Sequence, residues 1–178
     1  MKYRISTIGK IKSNDEDFIT KKYLKRIKNI ELKQYEVKTK NKEKKLDEEA
    51  DKLINSTPKN GKLILLDEEG ENISSADLAK LILNWSNNNI TSVNFAIGGA
   101  FGNGMKIKKT ADKIIAFGKL TWPHQMVKMM IAEQNRSSSG AEVAVEHPPE
   151  MVQILDALSA KYDSDLNFER RVCGSRPR

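Results

Sequence analysis

At 178 residues the chain can bury a real hydrophobic core, since about 150 residues hide roughly 70% of their unfolded surface, and one domain with an appendage is the simplest organisation. No apolar run reaches the roughly 18 residues of a membrane span, and Met1-Lys2-Tyr3-Arg4 opens without the apolar segment of a signal peptide, so a cytoplasmic protein is expected. The lone cysteine, Cys173, cannot close an intramolecular disulfide, and His124 and His147 lack metal-site spacing, so no metal is expected; the net charge of +7 favours a polyanionic partner.

In chain order, the period of apolar residues alternates between strand-like and helix-like, the pattern of βα units and a parallel sheet with helices on both faces. The first strand is expected over Tyr3 to Ile8. Asn14 can cap a helix over Asp15 to Lys28, with Phe18, Ile19, Tyr23, Leu24 and Ile27 on its apolar face. Ile30, Leu32, Tyr35 and Val37 mark a second strand, and Glu43 to Ile54 a second helix with Leu46, Ala50, Leu53 and Ile54 inward. After the breaker Ser56 to Gly61, Leu63-Ile64-Leu65-Leu66 reads as a central strand ending at Asp67. Ser74 or Ser75 caps a helix to about Ser86, and Asn87-Asn88-Asn89 stops it before the strand Ser92 to Ile97. A helix over Gly104 to Ala111, a strand over Lys113 to Phe117 and a helix from Pro123 complete five strands and five helices. From Asn135 the chain reads as a Ser-rich linker to Gly140, then a short helix over Pro149 to Tyr162 and a basic end, Arg170 to Arg178.

The lysines come in groups: Lys21, Lys22, Lys25, Arg26 and Lys28; Lys38, Lys40, Lys42, Lys44 and Lys45; Lys106, Lys108, Lys109 and Lys113. Phosphates would attract them, while a solvated face is the competing reading.

The densest chemical signal is Gly98-Gly99-Ala100-Phe101-Gly102-Asn103-Gly104, directly after a buried strand, followed by Phe117-Gly118-Lys119-Leu120-Thr121-Trp122-Pro123-His124-Gln125. Glycines there let backbone amides approach a ligand. The stretch has neither the Gly-Lys-Ser/Thr ending nor the G-x-G-x-x-G spacing of the common nucleotide loops. In open parallel sheets ligands sit beyond the carboxyl ends of strands, where these loops fall.

Together with Leu65-Leu66-Asp67-Glu68-Glu69-Gly70 and Ala132-Glu133-Gln134, these segments resemble the ribosomal RNA large subunit methyltransferase H family of the SPOUT superfamily, over about residues 1–134. The resemblance implies an α/β SPOUT fold with a C-terminal trefoil knot. It implies S-adenosylmethionine held by Leu66, Gly98, Phe117, Gly118, Lys119, Leu120, Thr121 and Trp122, and methyl transfer to N3 of a pseudouridine in helix 69 of 23S ribosomal RNA on the assembled ribosome. It also implies a homodimer, which the helix from Pro123 would serve through Met126, Val127, Met129 and Met130.

Residue types fit those roles: Leu66, Ile97, Leu120 and Trp122 can cover adenine while loop amides satisfy its polar edge. For Leu66 and Ile97 ordinary core is the competing reading, and for Gly98 and Gly99 a tight turn. His124 titrates near neutral pH and is a catalytic candidate, but at a helix start it can simply cap or pack. Asp67 and Glu68 can face a sulfonium cation or merely form the turn.

The likeness ends after Gln134. The family's Tyr-Arg pair and Pro-Tyr-His ending, through which the partner's tail completes the site, have no counterpart in Asn135-Arg136-Ser137-Ser138-Ser139, and Lys128 stands where the family has Arg. Residues 1–134 therefore form the expected methyltransferase domain and 135–178 a divergent tail. Two alternatives stay open: a cofactor-binding but catalytically impaired RNA-binding protein, and a SPOUT enzyme acting on another RNA such as transfer RNA.

Overall fold

The computed structural model describes residues 1–9, 15–27 and 29–138. The Asn14 cap, the helix over Pro149 to Tyr162, His147, Cys173 and the basic end lie outside the described residues. Five parallel strands, β1 (Lys2–Ile8), β2 (Ile30–Tyr35), β3 (Gly61–Asn72), β4 (Ser92–Ile97) and β5 (Lys113–Ala116), form one sheet in the order β2-β1-β4-β3-β5. Five helices join them: α1 (Asp15–Leu24), α2 (Lys42–Asn55), α3 (Ser75–Asn87), α4 (Met105–Thr110) and α5 (His124–Ser138).

Local chemistry explains most of the boundaries. Asn41 and Ser74 cap α2 and α3 by accepting the amides of Lys44 and Asp77. Asn88 and Asn89 end α3, with Asn89 in the left-handed region at φ 61, as the asparagine run predicts. β4, central and covered on both faces, is buried at every position.

One face of the sheet packs Ile8, Leu63, Leu65 and Ala96 against Ala50 and Leu53 of α2 and Ile107 of α4. Alternation along the strands sends the fully buried Ile5, Ile64, Val93 and Phe95 to the other face, where α5 meets β1, β4, α1 and α3. A buried polar knot lies under the end of α2. Ser6 donates to Asn94 Oδ1 at 2.7 Å and pairs with Ser56, and the Asn94 amide donates to Thr57 Oγ1 and the Leu53 carbonyl.

The structure corrects four expectations. β3 does not end at Asp67 but continues to Asn72, its pairing with β5 slipping so that both Leu66 and Glu71 lie opposite Ile115. Gly70 permits this, because a Cβ there would stand 2.6 Å from the Ile115 carbonyl carbon. Phe18 is 70% exposed, while Tyr23 and Ile27 are buried as expected, with Thr20 buried alongside them on the side α1 turns toward α5. Asn135 to Ser138 are not linker but the last turn of α5, and the buried Asn135 amide donates to the Ile131 carbonyl at 2.9 Å. Finally, Met129 is buried within the chain, which leaves the half-buried Met126, Val127 and Met130 on that helix face.

Candidate functional site

A cleft of ≈ 610 Å³ opens beyond the carboxyl ends of β4 and β5 and beside the middle of β3. Three segments wall it: Leu66 to Glu69 inside β3, the glycine loop 97–103 after β4, and the stretch 115–122 that ends β5 and leads into α5. Leu66, Gly98, Phe117, Gly118, Leu120, Thr121 and Trp122 all line it, as do Ile97, Asp67, Glu68 and His124. Lys119 shares the last loop but is exposed and does not line the cleft.

The loops are tied together by side chains that local sequence does not pair. The Asn103 amide donates to the Leu66 carbonyl at 3.1 Å and to Asp67 Oδ2 at 2.8 Å, joining the β4 loop to β3. Thr121 donates to Glu68 Oε2 at 2.6 Å, Gly118 N–H to Asn72 Oδ1 at 2.9 Å, and the Trp122 indole to the Phe117 carbonyl at 2.8 Å. Gly118 sits at φ 93, where other residues are strained and glycine is not. Asn103, Lys108, Phe101 and Lys42 also line the cleft and were not singled out as site residues. Asn103 and Phe101 lie within the glycine motif, but what they touch is decided by segments far away in sequence.

Asp67 is a turn former: it accepts Glu69 N–H at 3.0 Å in addition to Asn103, and Lys108 lies 3.2 Å from it. Burial would raise its pKa, but the Asn103 amide, the Glu69 N–H and the Lys108 ammonium outweigh that and hold it below the ordinary carboxylate range. Lys108 is held above its ordinary value, first by Glu69, which outweighs its desolvation, and then by Asp67. His124 stands exposed at the cleft edge, yet partial desolvation lowers its pKa, so its imidazole is neutral at about pH 7.

The cleft suits S-adenosylmethionine by size and chemistry. Its volume falls within the roughly 300–1,000 Å³ of small-molecule sites, and Leu66, Ile97, Val127 and the 70% exposed Leu120 give an apolar wall. Of the carboxylates at the cleft, Asp67 and Glu69 already face Lys108 at 3.2 and 2.6 Å, which leaves Glu68, bonded by the Thr121 hydroxyl, as the acid not paired with Lys108. The Asn103 Oδ1 is a buried acceptor with no hydrogen-bond partner among the described residues. No three His, Cys, Asp or Glu among the described residues cluster as a metal site, and no helix among them is long and apolar enough to cross a membrane.

Residues 1–135 match the family model described as "Predicted SPOUT methyltransferase". The chain belongs to the SPOUT methyltransferase family. Among curated relatives, the ribosomal RNA large subunit methyltransferase H of Paramagnetospirillum magneticum is 35% identical over 136 residues, covering 75% of this chain and 90% of that protein. The enzymes of the same name from Halothermothrix orenii, 35% identical over 147 residues, and Desulfotalea psychrophila, 34% over 140, cover 75% of the chain and 91% and 90% of their own lengths. The SPOUT match ends at residue 135, within α5, so it contains the whole cleft.

Proposed function

We propose that the chain is an S-adenosylmethionine-dependent methyltransferase acting on N3 of a pseudouridine in helix 69 of 23S ribosomal RNA, working on cytoplasmic ribosomes as a homodimer whose chains carry the family's trefoil knot. The observation that carries the reading is the single cleft in which the three loops of the family resemblance converge, inside a chain similar to curated large subunit methyltransferases H.

On this reading Leu66, Gly98, Phe117, Gly118, Leu120, Thr121 and Trp122 hold the cofactor, whose sulfonium supplies an electrophilic methyl group. Leu66 and Ile97 cover an apolar face of the ligand, and the Asn103 and Thr121 bridges hold the loop backbones in fixed positions before it arrives. Glu68 at the cleft wall places negative charge near the sulfonium, which favours binding of the cofactor rather than the transition state, in which that charge is being lost. Asp67, which Asn103 and Lys108 keep ionised despite its burial, anchors the loops. The target N3 carries a proton that must go as the methyl arrives, and the neutral His124 imidazole at the edge is a group able to accept it.

Nucleoside mass spectrometry of ribosomal RNA from cells with and without the gene tests the proposal. Loss of N3-methylpseudouridine in the gene's absence supports it. An unchanged mark, or a lost methyl group in transfer RNA instead, sinks it in favour of the impaired binding protein or of another RNA substrate.

A further inference from the structure

Phe101 occupies an unusual position for a large apolar side chain. It stands at the tip of a tight turn closed by Gly102 N–H donating to the Gly99 carbonyl at 3.1 Å, lines the mouth of the cleft, and remains 54% exposed. Two ammonium groups from the first turn of α2 lie over its ring, Lys42 at 5.8 Å and Lys45 at 5.1 Å from the centroid. A single exposed apolar residue needs no explanation. An aromatic ring on a pinned turn, beside a reaction cleft and with two cations close by, is different: a nucleobase stacks on an open face of such a ring whatever its identity, and the nearby ammonium groups meet the flanking phosphates. Glu49, 4.0 Å from Lys45, is the carboxylate on the protein side of this cluster.

We propose that Phe101 is a stacking platform for an unpaired base of the RNA substrate at the cleft mouth, with Lys42 and Lys45 gripping the adjoining phosphates. The inference rests on the reading of the cleft as an RNA methyltransferase site. It makes Phe101 a positioning residue, setting where the strand lies rather than taking part in bond exchange.

The test uses the full chain, fluorescent oligouridine as the binding probe and ribosomes as the methyl acceptor. Phe101→Leu keeps apolar bulk without a ring and should weaken oligouridine binding about tenfold and raise KM for ribosomes by a similar factor. Phe101→Trp should restore both. Lys42→Ala with Lys45→Ala should weaken binding and flatten its dependence on salt. The proposal is overturned by oligouridine binding that is undetectable in the wild type or unchanged in Phe101→Leu, or by no recovery in Phe101→Trp. It is also overturned if calorimetry with S-adenosylhomocysteine shows a loss in Phe101→Leu as large as the loss of RNA binding, which would make Phe101 a cofactor wall. Failure of the underlying reading looks different: the wild type then binds no S-adenosylhomocysteine and methylates no ribosomes, whatever the oligouridine result.

Discussion

Gly98 shows how one hydrogen atom in place of a side chain can hold a site together. A Cβ there would come to 2.1 Å from Asn103 Oδ1, so Gly98→Val would push Asn103 off the Leu66 carbonyl and Asp67 before it touched any ligand. Affinity for S-adenosylhomocysteine should fall at least tenfold, about 1.4 kcal/mol, by calorimetry; unchanged affinity would remove Gly98 from the site. Glu49 gives a second test at this scale. It is 3% exposed, sits under Gly99, and its Oε2 has no hydrogen-bond partner among the described residues. Burial raises its pKa, opposed by Lys45. The folded state therefore holds the proton more tightly than the unfolded chain, and stability falls as pH rises from the unfolded pKa of Glu through the higher folded one. Glu49→Gln should raise the melting temperature at about pH 7–8 and lose that advantage near pH 4. An equal shift at both would show that charge is not the cause.

Among the elements, β3 carries the most unexpected structure. Its excursion over residues 67–70 places Asp67 and Glu68 in the cleft and then returns the chain to β5, at the cost of bringing Gly70 against the Ile115 backbone. Backbone yields less readily than a side chain. Gly70→Ala should destabilise the fold by about 1–3 kcal/mol in denaturant unfolding and loosen Thr121 from Glu68; an unaffected midpoint would mean the excursion is soft. α5 matters in a different way. It begins at the cleft with His124 and carries the fully buried Ile131, Ala132 and Asn135, so it belongs to the packed core as much as to the site.

At the scale of the whole molecule, the charge groups are not equivalent. Lys106 pairs with Asp51 at 2.6 Å, Lys108 with Asp67 and Glu69, and Lys113 with Glu71, so much of the third lysine group is already opposed by carboxylates. The group from Lys38 to Lys45 leads into α2 at the cleft mouth, where Lys42 lines the opening. Ribosome affinity should fall by orders of magnitude as salt rises past physiological levels, and neutralising Lys38, Lys40 and Lys44 should flatten that slope more than neutralising Lys106 and Lys113. A flat response in the wild type would make the +7 charge compositional. The tail supplies the remaining prediction. Because Asn135 is packed inside α5, an exchange for a family-like Tyr-Arg and Pro-Tyr-His ending belongs after it, over residues 136–178. Single-turnover methylation should rise about 10²-fold or more in the exchanged protein, while S-adenosylhomocysteine affinity stays level. Equal rates would place the catalytic groups before the junction, and His124→Ala would then be the deciding variant.

The amino-acid sequence alone determined the alternation of strands and helices, the caps at Ser74 and the asparagine stop after α3, the bounds of β4, and the loops that make the cleft. Each depends on residues adjacent in the chain, whose periodicity, capping oxygens and φ preferences act locally. Tertiary structure alone decided that Phe18 faces outward while Thr20 faces in, that β3 runs on past Asp67, and that Asn135 is buried in the last turn of α5. It also decided which acids oppose which lysines and that Asn103 reaches back to Leu66. Those outcomes hang on partners tens of residues away, and a side chain's environment there is set by how sheet and helices pack, which no local pattern encodes.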